Sequence, residues 1–130
     1  MTPTANLEGR TALVTGAASG IGRAIAGALA SRGCHLALAD IDAGGLATVA
    51  DTVARPGLRV SRHVLDVADK AAVAALPAAV ADAHPGLDLL VNNAGVAVGG
   101  TFEDVSEADF DWLMSINFFG VVRVDRKSVV

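Results

Sequence analysis

Several features are missing from this 130-residue sequence, and each absence excludes a class of protein or group. There is no tyrosine, so no phenol hydroxyl is available to act as an acid or a base. The single cysteine, Cys34, cannot form an internal disulfide and is expected to pack as a small apolar side chain in a reducing compartment. No apolar run approaches the roughly 20 residues of a membrane-spanning helix. Residues 1–9 lack the basic and apolar regions of a signal peptide, so a cytoplasmic location is expected.

Blocks of one charge are absent as well. The 10 Lys and Arg residues and the 14 Asp and Glu residues give a formal net charge of −4 and are scattered along the chain. This pattern argues against nucleic acid and anionic membranes as partners. His35, His63 and His84 are dispersed in the sequence, so no metal site is predicted.

The sequence instead contains apolar runs that alternate with helical patterns. Strands are predicted at 11–15, 35–40, 59–65 and 87–91. Two helices are predicted at 21–32 and 42–54, a third ends at 83, and a fourth begins at 106. Strands that alternate with helices are joined by right-handed crossovers into a parallel sheet. The expected fold is α/β, an incomplete Rossmann-type doubly wound sheet with strand order 3-2-1-4. Its ligand crevice lies between the first and fourth strands.

Two of the predicted helices carry residues that affect their packing. Ile21, Ile25 and Leu29 recur at helical spacing and predict the apolar face of the first helix. Pro77 lies within the third helix and is expected to kink or split it.

Short polar side chains mark the helix starts. Asp42 can cap the second helix, and either Asp66 or Asp69 can cap the third. Ser106 and Asp109 have the spacing of a capping box, which predicts the start of the last helix.

The segment 15–22, Thr-Gly-Ala-Ala-Ser-Gly-Ile-Gly, directly follows the first strand. Gly16 permits a tight turn with positive φ, and the absence of Cβ atoms lets a pyrophosphate approach the backbone. Gly20 and Gly22 lead into a helix whose free N–H groups face that anion. Glycine also serves ordinary strand–helix turns, but an acid, Asp40, ends the next strand, and this combination favours a dinucleotide.

The position of Asp40 also predicts which dinucleotide binds. A carboxylate there can accept both hydroxyls of an adenosine ribose, whereas a 2′-phosphate would add about two negative charges and be repelled. Ala17, Ala18 and Ser19 are neutral and offset none of this repulsion. Arg23, a base one turn into the helix, could reach back toward a 2′-phosphate and offset part of the repulsion. Because the turn itself offers no positive charge, the sequence favours NAD over NADP.

Two further motifs follow the third and fourth strands. Asp66, in Leu-Asp-Val at 65–67, fits a helix cap and a bond to an adenine amino group equally well. Asn-Asn-Ala-Gly at 92–95 allows the backbone to approach a ribose, although Asn and Gly also favour an ordinary turn. Asn117, in the last helix, reads by itself as a polar residue that kinks the helix.

Taken together, these motifs resemble the short-chain dehydrogenase/reductase family, in order and spacing, over residues 7–124. The resemblance implies cofactor-binding roles for the residues of these motifs: Gly16, Ser19, Gly20, Ile21 and Gly22 at the pyrophosphate turn, Asp40 at the adenosine ribose, Asp66 and Val67 at the adenine, and Asn93, Ala94 and Gly95 at the nicotinamide-side ribose. It also implies that Asn117 is the family's catalytic asparagine, which holds a water in the proton relay.

The resemblance further implies NAD-dependent hydride transfer between an alcohol and a carbonyl compound, and pairing of the intact protein into a homo-oligomer through the helix of Asn117. The family's chemistry also depends on a serine and a Tyr-x-x-x-Lys pair. This sequence has no tyrosine, and its lysines are Lys70 and Lys127. The chain is therefore interpreted as a fragment that keeps the dinucleotide-binding half and is inactive by itself.

The end of the sequence departs from the family pattern. Residues 1–124 are assigned to the dinucleotide-binding domain, whereas Asp-Arg-Lys-Ser-Val-Val at 125–130 resembles a translated sequencing adapter and is interpreted as a non-native tail. A natural charged helix end is the alternative. Two alternative functions also stay open, a non-catalytic NAD-binding module and an S-adenosylmethionine-binding Rossmann protein. The motif at 92–95 together with Asn117 disfavours the second.

Overall fold

Four short strands and the helices between them follow the hydrophobic pattern of the chain. The computed structural model describes residues 6–96 and 103–128, with side chains as far as Asp125. The elements, in chain order, are β1 (Thr11–Thr15), α1 (Gly20–Ser31), β2 (His35–Asp40), α2 (Ala43–Val53), β3 (Val60–Val64), α3 (Lys70–Ala83), β4 (Leu89–Val91), α4 (Glu107–Met114), a π-helical segment (Ser115–Gly120) and α5 (Val121–Ser128).

The strands form one parallel sheet with the order β3-β2-β1-β4, which confirms the predicted doubly wound topology. Leu13 at the centre of β1 lies opposite Ala37 on one side and Leu90 on the other. The chain crosses from β3 on one edge to β4 beyond β1. The strand order reverses at this crossing, so a crevice opens at the carboxyl ends of β1 and β4.

The sheet separates two apolar cores. Side chains alternate between the two faces of a strand, so Val14 and Leu38 point to the core under α1 and α2, whereas Leu13 points to the opposite one. The second core is completed by α3 and by Val124 of α5. Every residue of β1 is buried, as expected of a central strand covered on both faces.

Helix α1 packs through a different face from the one that its aliphatic residues predict. The buried residues are Gly22, Ala26 and Ala30, and Ile21 is 73% exposed. Ile25 and Leu29 are only partly buried beside the core. Small residues win because they let the helix backbone lie close to the sheet, which large side chains on the same face would prevent.

The predicted helix caps are confirmed, and one alternative is decided. The side chain of Asp42 accepts a hydrogen bond from the N–H of Gly45, and Ser106 and Asp109 form the reciprocal capping box. Asp69, rather than Asp66, caps α3 and accepts from two backbone N–H groups. Of the two outcomes expected at Pro77, a kink or a split, the split is wrong, because α3 continues through it as one helix.

The last helical region is interrupted near Asn117, where the sequence predicts a kink but not the π-helical form that it takes. The π-helical segment separates α4 from α5 and contains Asn117. A π-helical turn holds more residues than an α-helical one, so it rotates the face that α5 presents to α3. Of the predicted tail at 125–130, residues 125–128 continue α5, and residues 129 and 130 lie outside the described residues. The non-native origin of this tail stays a prediction.

Cys34 packs as predicted. It is fully buried, and its thiol lies 3.3 Å from the carbonyl oxygen of Leu7, to which it donates. Burial raises the pKa of this thiol, and the charge of Asp88 adds to the rise. A buried thiol that is held neutral in this way is chemically inert. Across the described residues, no helix combines the length and the apolar character needed to cross a membrane.

The core predicts a clear contrast between two truncations. Leu38→Ala removes a fully buried side chain and should lower the free energy of unfolding by about 2–5 kcal/mol. Val64→Ala removes a side chain that is 64% exposed and should cost about 1 kcal/mol or less. Urea unfolding monitored by circular dichroism measures both values. Equal losses in the two variants would contradict the assigned core.

Candidate functional site

A cleft opens at the carboxyl ends of the strands, where the topology predicts it. Its volume is about 400 Å³, within the usual range for ligand sites. The cleft is lined by residues from each predicted motif: Gly16, Ser19, Gly20, Ile21, Asp40, Asp66, Val67, Asn93, Ala94 and Gly95. Gly22 and Asn117 are not among the lining residues. The fold therefore brings together, in one cleft, motifs that are up to 79 residues apart in sequence, as the distance between Thr15 and Ala94 shows.

The glycine turn is held by β2. Gly16 and Gly20 have positive φ values of 66° and 56°, which side chains other than glycine rarely adopt. Between them, the N–H of Ala17 donates to the carbonyl oxygen of Ala39 at 3.2 Å. The N–H of Ala18 donates to Oδ2 of Asp40 at 3.0 Å. The turn is thus fixed by the strand that ends in the predicted ribose-binding acid.

Gly22 lies beneath the turn and permits its close approach to β4. A Cβ at this position would overlap the carbonyl oxygen of Gly16 and lie 2.5 Å from Nδ2 of Asn93. Asn93 Nδ2 itself donates to the Gly16 carbonyl at 3.2 Å. The glycine is therefore required by packing within the site, although it does not face the cleft.

The start of α1 is left open toward the cleft. Ser19 is the N-cap residue, but its side chain makes no capping hydrogen bond, and it is exposed. At Gly20, the described residues leave open space within 4 Å of the Cβ position. The free N–H groups of a first helical turn carry a partial positive charge. An anion can therefore reach these groups without displacing any side chain.

The carboxylate of Asp40 accepts two hydrogen bonds from the protein itself. Besides accepting from Ala18, it accepts from the N–H of Asp42 through Oδ1 at 3.0 Å. A carboxylate has about four acceptor sites, so two bonds to the protein leave capacity for ribose hydroxyls. Asp40 is half-buried and lines the cleft.

The residues after β3 form what we call the adenine-side wall, Leu65, Asp66 and Val67. Asp66 accepts from the N–H of Ala68 at 2.9 Å and is exposed, so it closes a turn rather than capping α3. Ile41, which is 68% exposed, lines the same cavity. Leu65, Val67 and Ile41 therefore give the cleft part of its apolar lining.

The family is decided by comparison with known proteins. A family model described as short chain dehydrogenase matches residues 10–129. The chain belongs to the short chain dehydrogenase family. Oxidoreductase UcpA of Escherichia coli K12 is similar to it, with 42% identity over 120 residues that cover 92% of this chain and 45% of the relative. The chain spans about half the length of the curated relatives it matches.

Solved structures of short chain dehydrogenases share this fold. One from Burkholderia phymatum, in complex with NAD, has a TM-score of 0.86 and 40% identity over 95% of this chain and 44% of its own. L-sorbose reductase from Gluconobacter frateurii, complexed with NADPH and L-sorbose, has a TM-score of 0.89 and 31% identity over 95% of this chain and 48% of its own. Proteins similar to this chain therefore bind either dinucleotide.

Asn117, the predicted catalytic asparagine of this dehydrogenase family, bonds to the loop after β4. Its Oδ1 accepts from the N–H of Val96 at 2.8 Å, and its Nδ2 donates to the Val96 carbonyl at 2.7 Å. This two-way pairing joins the π-helical segment to the end of the motif at 92–95. The pairing with Val96 and the π-helical segment agree with the interpretation of Asn117 as a helix-distorting residue. Its role in a proton relay stays a prediction.

Sequence reasoning missed Thr15, which organises the β4 side of the cleft. Its hydroxyl oxygen accepts from the N–H groups of Asn93 and Ala94 at 3.0 and 3.1 Å. The same hydroxyl donates to the carbonyl oxygen of Val91 at 3.4 Å. A hydroxyl at the end of an otherwise apolar strand was the available signal. Ile41, Val96 and Ile116 also line the cleft without having been predicted.

The described residues contain no cluster of three or more His, Cys, Asp or Glu side chains arranged to hold a metal ion. Two carboxylates, Asp40 and Asp66, border the cleft instead. Its chemistry in this half of the family fold is thus that of backbone N–H groups, acceptor oxygens and apolar side chains, a set suited to binding and orienting a ligand.

Two of the glycines of α1, Gly22 and Gly27, provide a matched test. Gly22→Ala should destabilise the protein by about 1–3 kcal/mol because the added methyl overlaps the turn. Gly27→Ala adds a methyl to open space in the same helix and should stabilise it by about 0.5–1 kcal/mol. Thermal unfolding by calorimetry measures both. A stable Gly22→Ala variant would show that the turn does not pack as described.

Proposed function

We propose that this chain is the dinucleotide-binding half of an NAD-dependent oxidoreductase that transfers hydride between an alcohol and a carbonyl compound. The observation that carries the proposal is the open N-terminus of α1 above a positive-φ glycine turn, in a cleft bordered by Asp40. A bound dinucleotide supplies the hydride or accepts it. The residues of this chain bind that cofactor and orient it.

The pyrophosphate is expected at the start of α1. Ser19 and the first N–H groups of the helix face the cleft, and the helix dipole favours an anion there. The turn is already held by Ala39 and Asp40, so little ordering is needed on binding. Preorganised donors of this kind increase affinity, because the entropic cost of fixing the loop is met when the protein folds rather than when the ligand binds.

The adenosine half is expected between Asp40 and the adenine-side wall. The remaining acceptor sites of Asp40 suit two ribose hydroxyls, and Val67 and Ile41 can enclose the adenine ring. A 2′-phosphate would meet the charge of Asp40, with a repulsion of about 4 kcal/mol for each unit of its charge at 4 Å and an effective dielectric of 20. This repulsion supports the preference for NAD over NADP.

The nicotinamide half is expected beside Asn93, Ala94 and Gly95, at the end of β4. Thr15 and Asn93 hold this backbone close to the glycine turn. Asn117 fixes Val96 immediately beyond it. We place the hydride-transfer end of the cofactor here, with a small alcohol or carbonyl substrate next to it in the complete protein.

The aromatic residues of the last helical region support pairing between subunits. Phe110, Trp112, Phe118 and Phe119 are each about half exposed. Exposed aromatic groups of this size commonly mark contact surfaces. We propose that these side chains contribute to homo-oligomer formation in the complete protein, and we assign the protein to the cytoplasm.

Isothermal titration calorimetry on the full chain tests the proposal. NAD should bind at least about tenfold more tightly than NADP, because a tenfold ratio needs only about 1.4 kcal/mol of the repulsion at Asp40. Asp40→Asn should weaken NAD binding and reduce the ratio. Asp42→Asn, a carboxylate that caps α2 and does not line the cleft, is the matched control and should leave both values unchanged.

The same titration tests the alternative that the chain binds S-adenosylmethionine. Binding of S-adenosylmethionine without binding of NAD would overturn the proposal. An unchanged ratio in Asp40→Asn would show that the acid does not select the cofactor.

A further inference from the structure

A serine on the edge strand joins two histidine rings outside the cleft. Ser61 Oγ lies 2.8 Å from Nε2 of His63 and 2.8 Å from Nε2 of His84. Ser61 and His63 are two residues apart on β3 and therefore share one face of the strand. His84 is the C-cap residue of α3. The cluster thus ties the edge strand to the end of the helix that packs against it.

The proton count of this cluster is restrictive. The Ser61 hydroxyl has one proton, so it can donate to only one of the two rings. The other ring must then donate to Ser61, and both rings can be neutral. If the accepting ring gains a proton, both rings become donors toward the same oxygen. The hydroxyl proton then loses its acceptor within the cluster.

The surroundings of His84 oppose its charged form. His84 is 3% exposed. Its Nδ1 makes no hydrogen bond of good geometry to any described residue. Burial lowers the pKa of His84, and the charges facing it lower it further: His35 on β2, and His63 and Arg59 on or beside β3. Proximity to the backbone of Leu36 acts weakly in the opposite direction. Burial also lowers the pKa of His63.

These shifts have a defined sign for stability. A histidine whose pKa is lower in the folded state than its usual 6.5 binds protons more readily when the chain is unfolded. Its contribution to stability is complete above pH 6.5 and is lost as the pH falls through that value toward the lowered pKa of the folded state. Acid therefore favours opening of the cluster.

Strand β3 connects the cluster to the cleft. His63 lies opposite Ala39, and Val64 lies opposite Asp40. The next residue, Leu65, donates its N–H to the carbonyl oxygen of Asp40 at 2.9 Å and begins the adenine-side wall. A loosened β3 would therefore disturb the wall and the backbone that carries the ribose-binding acid.

We propose that Ser61, His63 and His84 form an acid-sensitive latch that holds edge strand β3 in place, and that protonation of the latch loosens the adenine-side wall. The latch itself stands on the geometry of the three side chains. Its effect on ligand binding rests on the proposed function. Acidification of the surroundings would then release the dinucleotide reversibly.

Hydrogen exchange on the full chain without cofactor tests the latch directly. Protection factors, corrected for the intrinsic pH dependence of exchange, should fall about tenfold for the β3 amides between about pH 7.5 and 5.5. Those of β1 should change much less. His84→Gln keeps an amide nitrogen near the Nε2 position and cannot titrate, so its β3 protection should fall with pH less than in wild type, the remaining fall coming from His63.

The control is Asp82→Asn, which removes an exposed titratable group from the same helix and should behave as wild type. The affinity for NAD should fall with pH in parallel with β3 protection in the wild type and fall less steeply in His84→Gln. If NAD does not bind at any pH, the proposed function fails, while the exchange data still decide the latch. Equal pH dependence of β3 protection in wild type and His84→Gln would overturn it.

A wild-type measurement covers the case in which the variant does not fold. The ring signals of His84 can be followed by NMR as the pH is lowered. Titration below pH 6.5, in step with the loss of β3 protection, supports the latch. Titration of His84 at or above that pH, or without any change in β3, contradicts it.

Discussion

The contact among Gly16, Gly22 and Asn93 is the constraint on which the cleft depends. The carbonyl of Gly16 receives the amide of Asn93 and lies so close to Gly22 that no Cβ fits between them. This contact brings the start of α1, the end of β1 and the end of β4 together. The rest of α1 follows from it, since Ala26 and Ala30 keep the helix at the same short distance from the sheet. A side chain at Gly22 would overlap the Gly16 carbonyl and is therefore incompatible with this contact.

The polar residues around the cleft hold the surrounding backbone in place. Asp40 holds Ala18 and Asp42, and Thr15 holds Asn93 and Ala94. Each satisfies backbone N–H groups that would otherwise be without a partner next to the core. The geometry of the site is therefore set by folding rather than by the ligand. This is the condition under which a modest number of contacts can discriminate between two cofactors.

The cleft has two sides with different mechanical support. The β4 side is fixed by Thr15 and by the pairing of Asn117 with Val96. The adenine side is carried by β3, which, like β4, has a single neighbour in the described sheet. A strand held on one side opens more easily than a central one. The histidine cluster lies on β3, so a local change in its protonation would act on the adenine side of the cleft.

The sequence by itself determined the strand order, the glycine turn and most of the cleft-lining residues, because these depend on local patterns: alternation of elements, turn glycines and acids at strand ends. Apolar spacing failed for α1, where Ile21 faces outward, since close packing selected Gly22 and Ala26 instead. The continuity of α3 through Pro77, the π-helical segment at Asn117 and the three-way bonding of Thr15 were decided by tertiary structure. So was the meeting of Ser61, His63 and His84. Each of these depends on which distant backbone or side chain lies opposite, and no local pattern records that distance.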